Sequence, residues 1–449
     1  LSQAASPHSS LFLNLEHNLL NRATVSAPIN LFPVNPVLFS YISSKRLCFS
    51  VNGPIIIVTA VKESEAVLNA CRNNNIEISG FCDSIKAKSE NNFCGLPVIH
   101  TPSLPDKFDQ NTRFIISSQH IQDCIEQLTD LGYNDFYSPL ELLEKYDVTQ
   151  NKHLISESYM KARLSVCINS HKMFLEGKEK TYMRSLDVMI TTRCSLKCES
   201  CCNLMQYYQP EDHKKVDDNE IFESIDIIRK NVDYISEFRV IGGEPLMNHA
   251  WAQITNHISD KNPDQEIFIY TNGSIPAKES QLETFQGKKI NFIITSYGEL
   301  SRHLKTLESQ LDKYNINYVT TPAQYWVDCS SISHHKRTPD KLKEVFKECC
   351  VKYIYTLLNG KLYRCPFIAN AANLNSIPDN PANYVDLFSP KGDIKKQIKR
   401  LIKTAEYFPG CDFCDGRPYD ATSAKGYDGK GIVKAGIQTP SILKYKKYN

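Results

Sequence analysis

The sequence predicts an α/β protein in three parts: a Rossmann-like parallel sheet, a partial (β/α)6 barrel and a small cysteine-bearing C-terminal domain. Three observations carry this reading. Apolar strand-like runs alternate with helix-spaced runs over residues 51–148. The alternation resumes over 184–332 with five or six βα units, enough for an open or partial barrel. Beyond 333 it stops, and Lys, Pro and Cys become frequent up to Asp415.

Residues 1–50 show no regular pattern and are broken by Pro28, Pro33 and Pro36. In the first series, PIIIVTA from Pro54 is a buried-strand run. KESEAVLNACRNNN puts Ala66, Val67, Ala70 and Cys71 on one helical face. IEISGFCDS and TRFIISSQ are further strands, and IQDCIEQLTDLGY is a second helix. After the first strand the chain reads TAVKESE, where a phosphate-cradling turn would need glycines. Residues 149–183 read as a polar helical connector. The second series offers SLDVMITT, FRVIGG, EIFIYTNG, KINFIITSYG and INYVTTP as strands. The third part is expected over 333–425, with a polar tail over 426–449. KGDIKKQIKRLIK, from Lys391 to Lys403, reads as a solvated amphipathic helix.

The 449 residues suffice for two or three domains, and 52 basic against 50 acidic residues argue against a nucleic-acid binder driven by bulk charge. No run of about 18 apolar residues exists, so no membrane span is expected. The start lacks a secretory pattern, so a cytoplasmic location is expected. Sixteen unevenly clustered cysteines in a long chain point to metal binding rather than disulfides. Cys48, Cys71, Cys82, Cys94, Cys124 and Cys167 read as small apolar core residues.

Two cysteine sets stand apart. Cys194, Cys198 and Cys201 form a Cys-x3-Cys-x2-Cys triplet just after the strand SLDVMITT, with Cys202 an extra neighbour. Three thiolates can hold three irons of a [4Fe-4S] cube and leave the fourth open to a small molecule. Zinc normally takes four ligands in pairs, and this triplet is not paired. The second set is Cys350 and Cys365, flanking a hairpin with Asn359-Gly360 at its turn, then Cys411-x2-Cys414. Cys349 stands as an alternative to Cys350, and structural zinc as an alternative to a second cluster.

In order, the triplet follows one strand, Gly242-Gly243-Glu244 the next, Asn272 in TNG the third and Ser296 in SYG the fourth. This order resembles the radical S-adenosylmethionine (radical SAM) superfamily over Leu186–Pro322. The resemblance implies that the triplet binds a [4Fe-4S] cluster whose open iron takes the methionine part of SAM. It implies that Gly242, Gly243 and Glu244 meet the SAM amino group, the glycines because a Cβ would occupy the ligand's place. Asn272 and Ser296 become candidates for the ribose hydroxyls. Ser200 stands where the family usually has an aromatic next to adenine. The second set, Cys350, Cys365, Cys411 and Cys414, resembles the twitch extension, a shortened SPASM domain with one auxiliary [4Fe-4S] cluster. The segment 51–148 resembles the nucleotide-sugar-binding domain at the front of sugar acyltransferases.

The resemblance implies reductive cleavage of SAM to a 5′-deoxyadenosyl radical, hydrogen abstraction from a substrate C–H bond, and oxidation or epimerisation. A sugar or nucleotide-sugar of surface-polysaccharide assembly is the expected substrate, with a peptide or partner protein as the runner-up. A flavodoxin- or ferredoxin-type donor is implied. Asp328 is a candidate proton acceptor and Cys329 a candidate hydrogen donor, while His334 and His335 read as a solvated loop. A non-catalytic iron–sulfur or zinc protein is the alternative of another class.

Overall fold

The computed structural model describes residues 53–176, 180–213, 217–323, 325–403, 405–419, 432–434 and 446–448. The expected segment 1–50 with Cys48, residues 420–425 and most of the tail 426–449 lie outside the described residues.

The first sheet contains β1 (Ile55–Val58), β2 (Gly80–Asp83), β3 (Asn92–Phe93), β4 (Leu96–His100), β5 (Arg113–Ile116) and β6 (Phe136–Tyr137). Its order is β3-β4-β2-β1-β5-β6, and all pairs but β3–β4 are parallel. β1 therefore has β2 on one side and β5 on the other, the point where a doubly wound sheet reverses its strand order. Helix α1 (Lys62–Asn73) buries Ala66, Val67, Ala70 and Cys71, the face the sequence predicts. Helix α2 (Ile121–Asp130) follows β5, and the short α3 (Leu140–Glu144) closes the domain. The glycine-free turn after β1 is held by side chains. The Ala60 N–H donates to an Asp83 carboxylate oxygen at 2.9 Å, and Lys88 pairs with Asp83 at 2.7 Å. An acid thus occupies the place a phosphate would need.

Helix α4 (Glu157–Leu175) is the expected connector, but it is not merely polar. Tyr159, Ala162 and Val166 pack on Phe268, Tyr270, Ile293 and Val319 of the second sheet. The helix therefore covers the face of the sheet opposite the one packed with the helices that connect its strands. Beside it, Arg163 and Arg239 pair with the buried Glu237 at 3.4 and 2.6 Å. Burial opposes that charge, but the arginines win and hold Glu237 at about 2.

The second sheet holds β7 (Tyr182–Met189), β8 (Tyr234–Ile241), β9 (Glu266–Thr271), β10 (Ile290–Ser296) and β11 (Asn317–Pro322), all parallel. Helices α5 (Asp218–Asn231), α6 (Trp251–Lys261), α7 (Glu279–Leu282) and α8 (Leu304–Lys313) connect them, as the βα rhythm predicts. β12 (Tyr325–Val327) leaves this sheet. After α9 (Pro339–Lys347), β13 (Ile354–Leu358) joins the far side of β7 as a sixth parallel strand. β14 (Lys361–Tyr363) and β15 (Tyr384–Asp386) follow antiparallel, giving the order β11-β10-β9-β8-β7-β13-β14-β15. Asn359 and Gly360, at φ of 47° and 67°, make the expected tight turn.

The C-terminal part therefore differs from a free-standing domain. Its residues, α10 (Pro366–Asn373) and α11 (Ile394–Lys403) included, share one apolar core with the barrel strands, Phe367, Leu374 and Leu401 packing with Met183 and Leu186. α11 buries Ile398, Leu401 and Ile402 and leaves its lysines outward, as the pattern predicts. β16 (Ile432–Lys434) pairs antiparallel with β12. Lys352 joins this part to the first domain, 2.8 Å from Asp123 and 3.3 Å from Glu126.

Candidate active site

The triplet loop leaves the C-terminal end of β7 and runs beside the loop after β8. The Gly243 N–H donates to the Thr191 carbonyl at 2.9 Å and the Glu244 N–H to the Arg193 carbonyl at 2.8 Å. A Cβ on Gly242 would stand 2.3 Å from the Thr191 oxygen, and one on Gly243 would stand 2.1 Å from the Arg193 oxygen. A methyl group would collide with the backbone of Thr191 and Arg193, just before the triplet, so the close run of the two loops is by itself a reason for the glycine pair. The glycines set how closely two loops can run.

Glu244 differs from its expected role. It is fully buried. One carboxylate oxygen accepts from the Thr271 hydroxyl at 2.8 Å and the Leu246 N–H at 3.2 Å; the other accepts from the Asn272 N–H at 2.8 Å. Burial pushes its acid up to about 7 despite these bonds. Glu244 ties the β8 loop to the end of β9 and does not line the cavity.

That cavity, about 170 Å³, is lined by Cys194, Cys198, Cys201, Cys202, Gly242, Gly243 and Asn272, so the expected triplet, glycines and asparagine converge. The Asn272 amide donates to the Ser195 hydroxyl at 3.0 Å. Ser296 does not reach the lining; its neighbours Thr295 and Tyr297 do. Strand alternation explains this, since residues next to each other point to opposite faces. Trp326, Asn203 and Tyr270 are further wall residues that the sequence reading missed. Trp326, one of only two tryptophans, just after the last barrel strand, was the available signal. Asp328 and Cys329 are also off the wall. Asp328 accepts a hydrogen bond from the Ser200 hydroxyl, and Cys329 is 4% exposed.

The donor set suits a sulfur-ligated cluster. Burial pushes the Cys194 and Cys198 thiols up to about 12 and Cys201 higher still. Bare thiols here are neutral, so only a cation strong enough to displace the protons makes them ligands. The Leu196 N–H donates to the Cys194 sulfur at 3.4 Å, the kind of bond that supports a ligating thiolate. Lys197, inside the triplet, is spent on bracing: its ammonium donates to the Met205 and Tyr208 carbonyls at 2.8 and 2.7 Å. Among the described residues no group of three acidic, Cys or His side chains is placed to hold a single metal ion.

A second, smaller cavity of about 30 Å³ is lined by Cys349, Cys365, Cys411 and Cys414, with Arg417, Phe346 and Ile368. Cys350 is absent from this lining. The structure thus favours Cys349, the alternative left open by the sequence, over Cys350. The Cys350 N–H donates to the Arg417 carbonyl at 2.8 Å, and Cys349, which bridges to Pro418 beside it, is the one of the two that lines the cavity. Cys365 caps α10, its sulfur accepting from the Ile368 N–H at 3.4 Å, and the Gly416 N–H reaches Cys414 at 3.4 Å. The Cys411–Cys414 turn is clamped by His334, which is exposed as expected of a solvated loop, and by the half-buried His335 and Arg337. His334 pairs with Asp412 at 3.0 Å and stacks on Phe413, and His335 meets Asp415 at 3.2 Å. Arg337 donates to the Cys411 and Cys414 carbonyls at 3.1 and 2.8 Å. Arg417 is 4% exposed and donates to the Cys202 carbonyl at 3.2 Å, so it stands between the two sulfur-lined cavities.

Residues 188–363 match the family model described as the Radical SAM superfamily. The chain is 31% identical over 135 residues to a GTP 3′,8-cyclase of Alkaliphilus oremlandii (strain OhILAs), covering 28% of this chain and 40% of that protein. It is 31% identical over 117 residues to the GTP 3′,8-cyclase of Clostridium acetobutylicum, covering 26% and 35%. The match thus spans 40% or less of these curated relatives' length. Among solved structures, BtrN in complex with AdoMet and 2-DOIA shares 15% identity at a TM-score of 0.34, covering 51% of this chain and 92% of that one. Streptococcus suis SuiB bound to precursor peptide SuiA shares 12% at 0.28, covering 62% and 81%. Among the described residues no helix is long and apolar enough to cross a membrane.

Proposed function

We propose, from the premise that this chain carries a radical SAM domain over residues 188–363, that it oxidises or epimerises a small polyhydroxylated substrate, a sugar or nucleotide-sugar of surface-polysaccharide assembly. The observation that carries this reading is the pairing of two thiol-lined cavities separated by Arg417 and the Cys329–Cys414 contact, where the Cys414 sulfur lies 4.0 Å from the Cys329 carbonyl. When bound, a reduced [4Fe-4S] cluster with SAM supplies a 5′-deoxyadenosyl radical, and an auxiliary [4Fe-4S] cluster supplies an electron acceptor.

The chain's own residues do the rest. Cys194, Cys198 and Cys201 hold the first group, and Cys349, Cys365, Cys411 and Cys414 the second. Gly242 and Gly243 fix the distance between the loops, and Glu244 locks that distance to β9. Asn203, Asn272, Thr295, Tyr270 and Tyr297 give the first cavity neutral hydrogen-bonding walls, which suit hydroxyl groups better than a charged peptide. Tyr297 and Trp326 meet edge to face at 6.1 Å and help exclude water. Asp328 lies off the wall, so its role as acceptor for a substrate hydroxyl proton requires the Ser200–Asp328 pair to open toward the cavity. Burial keeps the Cys329 thiol protonated, up to about 12, and a hydrogen-donor role for it requires the same opening, since it too lies off the wall. In this reading a flavodoxin- or ferredoxin-type protein would supply the electron, and the reaction would run in the cytoplasm.

The test is anaerobic reconstitution followed by reduction with SAM. Wild type should release 5′-deoxyadenosine, Cys198→Ala should release none, and Cys411→Ala should cleave SAM without net oxidation. A fully iron-loaded protein that makes no 5′-deoxyadenosine sinks the enzyme reading. Deuterium transfer into 5′-deoxyadenosine from a peptide, and not from any sugar or nucleotide-sugar, sinks the substrate class.

A further inference from the structure

The end of β7 opposite the triplet carries a cavity with no part in the chemistry above. It measures about 490 Å³, a size usual for small-molecule sites, and lies where the β5–α2 loop meets the start of β7 and the residues around β13. Arg184 lines it, is 5% exposed, and finds no acceptor for its Nε and Nη2 atoms among the described residues. Gln119, 8% exposed, lines it too, and its amide nitrogen has no hydrogen-bond partner among the described residues. A buried guanidinium without an anion is costly. The two carboxylates that act on Arg184 are already engaged: Glu237 by Arg239 and Arg163, and Asp123 by Lys352 at 2.8 Å and His120 at 3.2 Å. Burial and the nearby Arg239 pull the guanidinium below its ordinary range, so it lacks compensation.

The surroundings specify the missing partner. Lys180 and Lys403 stand on the exposed rim, and the ten-residue α2 starts at the cavity with Ile121 and Gln122 in its wall. A helix N-terminus with a guanidinium and two ammonium groups favours a phosphate over a single negative charge. One carboxylate faces the cavity, Glu126, and it is held by Gln122 at 2.8 Å and Lys352 at 3.3 Å. Tyr182, Tyr353 and Tyr355 supply ring surface on the remaining side. The β5–α2 loop also lies at the strand-order reversal beside β1, where open α/β sheets take ligands. The turn after β1 is closed there by Asp83, which leaves the β5 loop as the open one.

We propose that this cavity binds a phosphorylated ring compound, a sugar phosphate or nucleotide, with its phosphate on Arg184 and the α2 N-terminus and its ring against the tyrosines. The test is calorimetric titration of the full-length, reconstituted protein with glucose 6-phosphate, uridine diphosphate and inorganic phosphate. One ring-bearing phosphate should bind at least about tenfold tighter than inorganic phosphate, and Arg184→Gln should cost that complex about tenfold or more. The double variant Lys180→Gln, Lys403→Gln alters only exposed rim residues and should weaken it severalfold even if Arg184→Gln fails to fold. Cys198→Ala should bind as wild type does, which separates this site from the cluster. The proposal is overturned if inorganic phosphate binds as well as the ring compounds, if none binds, or if the folded variants keep wild-type affinity. Preference for glucose 6-phosphate or for uridine diphosphate assigns the ring.

Discussion

Gly243→Ala is the sharpest test of how the triplet is held. The added Cβ would lie 2.1 Å from the Arg193 oxygen, 2.5 Å from its carbonyl carbon and 2.9 Å from the Cys194 Cβ. Real contacts of this kind stay beyond 3.0 Å, so the triplet loop must withdraw by about 1 Å. It cannot do so freely. The Glu244 N–H is bonded to that same Arg193 carbonyl, and Asn203 binds the Gly242 oxygen at 2.8 Å. Overpacking of this kind costs about 1–3 kcal/mol. A displacement of about 1 Å at reacting groups costs on the order of 100-fold in rate. The assay is 5′-deoxyadenosine formed per reconstituted [4Fe-4S] centre, with iron content and thermal unfolding measured alongside. We expect Gly243→Ala to lose about 1–3 kcal/mol of stability and on the order of 100-fold in SAM cleavage per loaded centre. An alanine variant that loads iron fully and cleaves SAM at the wild-type rate would refute the idea that glycine sets the spacing of the loops.

Three further expectations follow from the geometry. Cys349→Ala should remove the auxiliary iron measured by elemental analysis and electron paramagnetic resonance, while Cys350→Ala should retain it; the opposite pattern returns the ligand role to Cys350. Lys352→Met should destabilise the protein by about 3–5 kcal/mol in urea unfolding, because it leaves the buried Asp123 charge without its ammonium; a change under about 1 kcal/mol means the pair contributes little. His171 is 1% exposed, and burial pulls its imidazole down to about 3. The unfolded chain takes up a proton near the ordinary histidine value of 6.5 and the native state does not. Stability is therefore full above about pH 6.5 and falls as pH drops toward 3, by on the order of 4 kcal/mol. His171→Gln should flatten that acid slope in urea titrations between pH 6.5 and 4, and an unchanged slope assigns it to other groups.

The alternation of strand and helix was legible because its two periods, 2 and 3.6, are written in the apolar residues themselves. α1 and α11 bury the faces their spacing marks. The triplet was legible because short-range spacing survives folding: Cys194, Cys198 and Cys201 lie within one loop. What required long-range contact was not. Glu244 follows a glycine pair, and only the approach of β9 shows that its oxygens are consumed by Thr271 and Asn272. Cys349 and Cys350 are adjacent in sequence, and only the gathering of Cys365, Cys411 and Cys414 around one cavity distinguishes them. Ser296 and Tyr297 pose the same problem across a strand. Likewise His335 read as part of a solvated loop because its partner Asp415 is far along the chain, whereas His334 does remain exposed while pairing with Asp412.

Helix α4 serves two sheets at once. Met160, Leu164 and Cys167 pack into the core of the first domain, while Tyr159, Ala162 and Val166 pack on the second sheet. Its Arg163 reaches Glu63 of the first domain at 2.6 Å and Glu237 of β8 at 3.4 Å. A single side chain thus couples the two units, so a substitution that loosens this helix would be felt in both.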